Sequence, residues 1–387
     1  MKRARLIVAV LWSCAACVVA CDPGAGASDA SDRDVRMTDL GPGADVVVLD
    51  AGPRDHGTSD AQAHLLPGLE GRICAPSGDF FIADAVVSMR WLEERGVRAV
   101  THIRSTRSGP GGAFRLRDLP TGHFHVDVRF GRLHLVFEAD ILAPGMTGTL
   151  ESGLTPVGDH CFDGAQLKLA VVTGIYDSIE HVIEDLGFTD VTLYGEEPGW
   201  HQTFFDPALL AQYDAVYFNC GLDDTSLSYA VAASALRTYV AQGGSVYASD
   251  WAYFLVEHSW PEQVDFLLAD LTRGDALLGA TGDVQAELHG SAVSKTCGRQ
   301  ALISFDLPYW AVMERVASST ELLASGTIEA YASESDWDPS VVLDNAPLMI
   351  RFAPAQDLAS VVFTSFHNEA QATDDMLCIL KTMILSL

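Results

Sequence analysis

From Gly68 onward, hydrophobic and polar residues alternate in short runs separated by turn residues every 8 to 12 positions, the pattern of a small antiparallel β-sandwich. In Ala113-Phe-Arg-Leu-Arg-Asp-Leu119 the apolar positions alternate with charges, so one strand face is buried and the other wet. Pro120-Thr121-Gly122 makes a turn. After it Phe124, Val126, Val128 and Phe130 point inward, and Gly131 is placed to turn a hairpin. Past residue 166 the period changes. Leu167–Val172 reads as an apolar strand, and Ser178–Gly187 as an amphipathic helix with Ile179, Val182, Ile183 and Leu186 on one face and Gly187 as its stop. Strands at Val191–Tyr194, Asp214–Asn219, Ser245–Ser249 and Val361–Thr364 alternate with a short helix at Leu209-Leu210 and a longer one at Tyr229–Ala241. Repeated strand-helix-strand units with short links predict a parallel sheet covered by helices on both faces. The fold class expected is therefore multidomain: an antiparallel β-sandwich over 66–162, then an α/β, flavodoxin-like parallel-sheet domain over 166–387. Residues 272–345 have a weaker period and read as an insertion capping the sheet's rim.

The first 65 residues fit neither pattern. Lys2, Arg3 and Arg5 precede the short apolar run Leu6–Trp12, the layout of a secretory leader and too short for a membrane span. Val18-Val19-Ala20-Cys21 resembles the lipobox of bacterial lipoproteins. The resemblance implies cleavage after residue 20, a palmitate-bearing lipid on Cys21, and localisation to the outer membrane or the periplasmic face of the inner membrane. Residues 21–65, rich in Asp, Gly, Ala and Pro, read as a disordered tether whose r.m.s. span is about 35 Å.

Charge narrows the partners. With 24 basic and 52 acidic residues the chain carries −28, and loss of the leader's three basic residues takes it to −31. Such a surface repels nucleic acid and anionic headgroups. Hydrophobic residues at 48% are too many for a disordered chain, so the charge coats folded domains. In an oxidising compartment Cys74 and Cys161, which bracket the sandwich, are expected to form a disulfide. Cys220, Cys297 and Cys378 are odd in number. One thiol is left over, and Cys297, in the loop-rich insertion, is the favoured bridge partner.

Several segments resemble known families. Gly71-Arg72-Ile73, Ala83-Asp-Ala-Val-Val-Ser-Met89 and Gly112-Ala-Phe-Arg-Leu-Arg-Asp-Leu-Pro-Thr-Gly122 resemble the carboxypeptidase regulatory-like, or transthyretin-like, domain over about 75 residues, with Gly111 where that family usually has Asp. The resemblance implies a noncatalytic accessory module of a carbohydrate-binding-like fold. Over the last 220 residues or so the chain resembles the class I glutamine amidotransferase-like fold: Gly243-Gly-Ser-Val-Tyr-Ala-Ser-Asp250 stands where the family carries its nucleophile elbow, and Phe366-His-Asn-Glu369 where it has its His-x-Glu pair. That implies His367 as base, oriented by Glu369. The elbow position holds Asp250, not the expected thiol.

Ligands of parallel sheets sit beyond the carboxyl ends of the strands, which places Gly174, Cys220, Gly221, Ser249, Trp251 and Tyr253 on a candidate binding rim. Candidate catalytic residues are His367 and Glu369 with Asp250, and Ser249 or Cys220 as alternative nucleophiles. Trp251, Tyr253 and Trp260 are candidate platforms for sugar faces, set against the commoner reading of aromatics after a strand as core. On the sandwich, His123, His125 and Asp127 share one outward face, joined across the hairpin by His134 and Glu138, a weak candidate for metal ligation set against a plain polar sheet face. No cofactor motif is read. Two functions compete: a noncatalytic lipid-anchored protein that binds polysaccharide or an envelope protein, and an envelope hydrolase or amidase using the His367-Glu369 dyad.

Overall fold

In a computed structural model, the described residues are 66–387 apart from 97, 150–151, 223–226, 267–276, 333–337, 355–358 and 368–371, together with the backbone of 46–48. The expected leader, Cys21 with its lipobox resemblance, and the rest of the expected tether lie outside them.

The sandwich forms as its alternation predicts. One sheet pairs Val86–Arg95 with Arg98–Arg107 and with Gly122–Phe130, which continues into Leu133–Ile141; Val46–Val48 adds in parallel beside Arg98–Arg107. The other sets Gly68–Cys74 between Ala113–Arg117 and Leu154–Cys161. The hairpin turns at Gly131-Arg132, so His125 stands opposite Glu138 and His123 opposite Asp140. Inward residues of both sheets, including Leu69, Ile73, Leu116, Val87, Val126 and Val128, form one buried core. Cys74 and Cys161 are adjacent across paired strands and are disulfide-bonded, as expected.

The parallel sheet has the order Val191–Tyr194, Leu169–Val172, Ala215–Phe218, Ser245–Ser249, Val361–Thr364. Numbered along the chain this is 2-1-3-4-5, the doubly wound order with its switch point between the first and third strands. Four of these strands are buried at every position, because helices cover both faces. Successive residues go to opposite cores. Leu169, Val171, Ala215 and Tyr217 pack with helix Ile179–Asp185 and the C-terminal helix Asp374–Ser386. Ala170, Val172, Val216 and Phe218 pack with helices Tyr229–Ala241 and Tyr253–Ser259.

Residues 277–352 do less capping than the sequence suggests. Val341–Phe352 pairs antiparallel with Val361–Thr364, and Glu321–Tyr331, Leu277–Gly279 and Trp310–Val312 extend the sheet outward. The hairpin Gly282–Leu288/Gln300–Phe305 joins at Glu321–Tyr331. Among the described residues of this region, 304–310 line the rim and Ala311 reaches it through its N–H on Asp250. Cys297 is bonded to Cys378, tying helix Ser291–Cys297 to the C-terminal helix; among the described residues Cys220 is the one free thiol. Two disulfides mark an oxidising, extracytoplasmic location.

Candidate functional site

Three parallel strands deliver one side chain each to a common point. Strand Ser245–Ser249 ends at Asp250, which has φ 42° and leads through a single turn into helix Tyr253–Ser259. A non-glycine residue in this left-handed region costs on the order of 1–3 kcal/mol and is kept only where the surroundings impose it. Here the constraint is visible: Asp250 is buried, and its Oδ1 accepts the Ala311 backbone N–H at 2.7 Å. The neighbouring strand Ala215–Phe218 runs on into Asn219-Cys220-Gly221, and the Cys220 thiol donates to Asp250 Oδ2 at 3.3 Å. From the strand on the other side, Val361–Thr364, the chain reaches His367, whose Nε2 lies 3.6 Å from the same Oδ2. One donor atom from each of Cys220, Asp250 and His367 lies within 4.8 Å of the other two.

A buried polar layer holds this trio. Asp177, just beyond the first strand at the switch point, accepts from the Ser249 hydroxyl at 2.5 Å, and the Ser249 oxygen accepts the Cys220 N–H at 3.0 Å. Asn219 donates to the Asp177 carbonyl at 3.1 Å and to Glu180 Oε2 at 2.8 Å. Thr364 donates its hydroxyl proton to the Phe366 carbonyl at 2.7 Å, so the Tyr247 hydroxyl, 2.9 Å away, must donate to Thr364. That chain of bonds sets the turn leading to His367. At Gly174 an added Cβ would stand 2.0 Å from the Cys220 carbonyl, and at Gly221 (φ 77°) 2.6 Å from the Tyr176 ring. The two loops touch, and only glycine permits it.

The electrostatics set what Cys220 does. Burial pushes its thiol far above the ordinary range, and the Asp250 and Asp177 carboxylates push it further. An activated nucleophilic cysteine has the reverse surroundings, a thiolate beside a cation. Cys220 as it stands is a protonated thiol donating to a carboxylate.

Above the trio lies a cavity of about 410 Å³. Tyr176, Trp251, Phe305, Tyr309 and Trp310 supply aromatic walls, and Cys220, Asp250 and His367 lie on its polar side. The Phe305 and Trp310 rings stack at 4.0 Å between centroids.

The rim expected from sequence is partly assembled here. Cys220, Gly221, Asp250, Trp251 and His367 line the cavity. Gly174 does not, serving instead as the close approach behind Cys220. Tyr253 is fully buried against Phe266, and Trp260 packs on Phe352, so neither is a sugar platform; a helix that covers the sheet turns its aromatics inward. Ser249 is also corrected as a nucleophile: it is fully buried and engaged by Asp177 and Cys220, away from the cavity. Glu369 lies outside the described residues, so the His-x-Glu pair is not described. On the sandwich, His123 bonds Asp140 at 2.8 Å and His134 bonds Asp127 at 2.6 Å, with His125 3.9 Å from Glu138; these are exposed ion-pair contacts on a wet face. Sequence reasoning missed Asp177, Tyr176, Tyr309 and Trp310. The first two follow the first strand of the switch point, where the carboxyl-end rule applies, whereas the 304–310 turn gave no signal.

These features define a class: an extracytoplasmic protein with a β-sandwich followed by an α/β domain whose rim bears a Cys-Asp-His cluster, buried at Cys220 and Asp250. No protein-family model matches the chain, and no curated protein matches it. Among solved structures it is similar to a Thermoplasma acidophilum protein described as one of the subunits of a GMP synthase, with 12% identity and a TM-score of 0.36, covering 56% of this chain and 92% of that one. It is also similar to a 9R-lipoxygenase from Cyanothece, with 10% identity and a TM-score of 0.17, covering 84% of this chain and 45% of that one. Likenesses of this order assign no residue a role.

Proposed function

We propose that the protein is a lipid-anchored component of the bacterial cell envelope that captures a small ligand, a sugar unit of a polysaccharide, in the rim cavity, with the sandwich as a carbohydrate-binding-like accessory module. The observation that carries this reading is the cavity itself: aromatic walls from Trp251, Tyr309 and Tyr176 facing hydrogen-bonding groups from Asp250 and His367. Sugars offer an apolar ring face and polar edges, and such a site meets both. The protonated thiol and the carboxylate at the elbow argue against acyl transfer through a cysteine. Tryptophan fluorescence titration against a panel of envelope oligosaccharides tests the proposal. Saturable quenching by one glycan class is expected, weakened about tenfold or more by Trp251→Ala. No response from any glycan, with the fold intact, rejects it.

One distance favours a second reading. His367 Nε2 at 3.6 Å from Asp250 Oδ2 is within reach of an acid-base pair, loosened as in a ligand-free site. Turnover of amide or ester substrates abolished by His367→Ala would support a hydrolase in place of a binder.

A further inference from the structure

We propose that Cys220, Asp250 and His367 form a zinc site with one coordination position open to the cavity. The inference deepens the binding reading of the same cavity but stands on separate observations. The donor set is a thiol sulfur, a carboxylate oxygen and an imidazole nitrogen, the ligand types zinc takes in proteins. For metal–ligand bonds of about 2.0 to 2.3 Å in a tetrahedron, neighbouring donor atoms stand about 3.5 Å apart. Cys220 Sγ is 3.3 Å and His367 Nε2 3.6 Å from Asp250 Oδ2, and the three donors lie within 4.8 Å of one another. Each donor lies within three residues of the end of a different strand of one sheet, so strand order brings them together.

The supports behind the donors are those a metal centre uses. Asp250 Oδ1 is held by the Ala311 N–H at 2.7 Å, leaving Oδ2 as the single coordinating oxygen. Without a cation, Cys220 and Asp250 are both buried, and Asp177 adds a third acidic group behind them. Binding a divalent ion transfers the thiol proton to solvent and forms the sulfur–metal bond. The three ligands and the dication then sum to zero charge, and the buried cluster that includes Asp177 goes from two uncompensated negative charges to one. A buried cluster favours neutrality, because each uncompensated charge costs several kcal/mol of desolvation. Three protein ligands with the fourth position open is the arrangement of zinc sites that bind exogenous oxygen donors. The His123–His134 face lacks these properties, since its imidazoles pair with carboxylates while exposed to water.

The test uses the full-length protein, stripped with chelator and then titrated with zinc and, separately, cobalt. One equivalent bound per chain is expected, with one proton released and a sulfur-to-cobalt charge-transfer band in the cobalt form. Cys220→Ser should abolish the band, and His367→Ala should weaken zinc binding by about a hundredfold or more; His134→Ala should change neither. Binding below a tenth of an equivalent overturns the proposal, as does a band that survives Cys220→Ser or metal lost only with His134→Ala. Should Cys220→Ser fail to fold, His367→Ala decides, since its side chain is at the cavity edge. The two readings fail separately: zinc bound without any glycan affinity rejects the sugar reading alone, and glycan affinity undiminished in a protein that takes up no zinc rejects the metal alone.

Discussion

The Lys295 ammonium lies 2.7 Å from Asp84 Oδ1, joining the α/β domain to the sandwich through a carboxylate that is only 8% exposed. Asp84 also accepts from the Ser291 hydroxyl and pairs with Arg107 at 3.3 Å, while its own backbone sits at φ 70°. A carboxylate in this setting depends on its donors. Asp84→Ala strands them and places alanine at a left-handed angle, and should cost about 3 kcal/mol. Lys295→Met should cost about 1 kcal/mol, because the ammonium is 44% exposed and its pairing is screened. Denaturant midpoints of the two variants, read at unchanged slope, check the order; a larger loss for Lys295→Met than for Asp84→Ala would contradict it.

The disulfides close long loops, joining cysteines 87 and 81 positions apart in the sequence. On chain-entropy grounds each contributes about 4 to 5 kcal/mol. Replacing the Cys297–Cys378 pair with alanine should lower the melting temperature by about 10 °C. Calorimetry with and without reductant measures it, and the reduced wild type should fall at least as far.

Burial lowers the pKa of His160, whose ring stacks on Phe137 at 3.5 Å, and of His258. A histidine with a depressed folded pKa contributes stability above its unfolded value of about 6.5 that is lost as pH falls towards the folded value. Between pH 7 and 5 the wild type should therefore lose stability faster than His160→Phe, which keeps the stack and does not titrate. Parallel pH–stability curves for the two proteins would contradict this.

At Asp250, strain and chemistry are separable. Asparagine tolerates the left-handed angle and still accepts from Ala311, so Asp250→Asn should keep the fold while weakening metal binding. Asp250→Val combines a β-branched side chain at φ 42° with an orphaned Ala311 N–H, and should be at least about 2 kcal/mol less stable than Asp250→Asn. Thermal melts of the two variants compare them directly.

The proposed anchoring rests on the resemblance of Val18–Cys21 to a lipobox. Cys21→Ser should release the protein from membranes into the soluble fraction and abolish palmitate labelling. Unchanged fractionation would remove the lipid from the account.

Much of the framework could be read from the sequence because burial leaves local signatures. The hairpin at Gly131 followed from alternation on both sides of a glycine, and the both-faces burial of Ala215–Phe218 from an uninterrupted apolar run. The C-terminal helix Asp374–Ser386 was not anticipated, although Thr373 caps it by accepting the Met376 N–H at 3.1 Å. Trp260 packs in the core, the commoner fate of an aromatic after a strand, whose local pattern is the same whether it faces a cavity or the core. The Ser304–Trp310 turn carries no periodicity, and its place on the rim depends on the antiparallel strands around it.

By itself the sequence determined the strands of the sandwich and of the parallel sheet, the faces they bury, and that Cys220, Asp250 and His367 all follow the carboxyl ends of strands. Those are consequences of short-range spacing and solvent exclusion. Only the tertiary structure decided that these three meet around one carboxylate oxygen while Ser249 turns away to Asp177. Strand order in the sheet brings together residues 30 and 117 positions apart, and no periodicity along the chain encodes which neighbour a buried side chain will find.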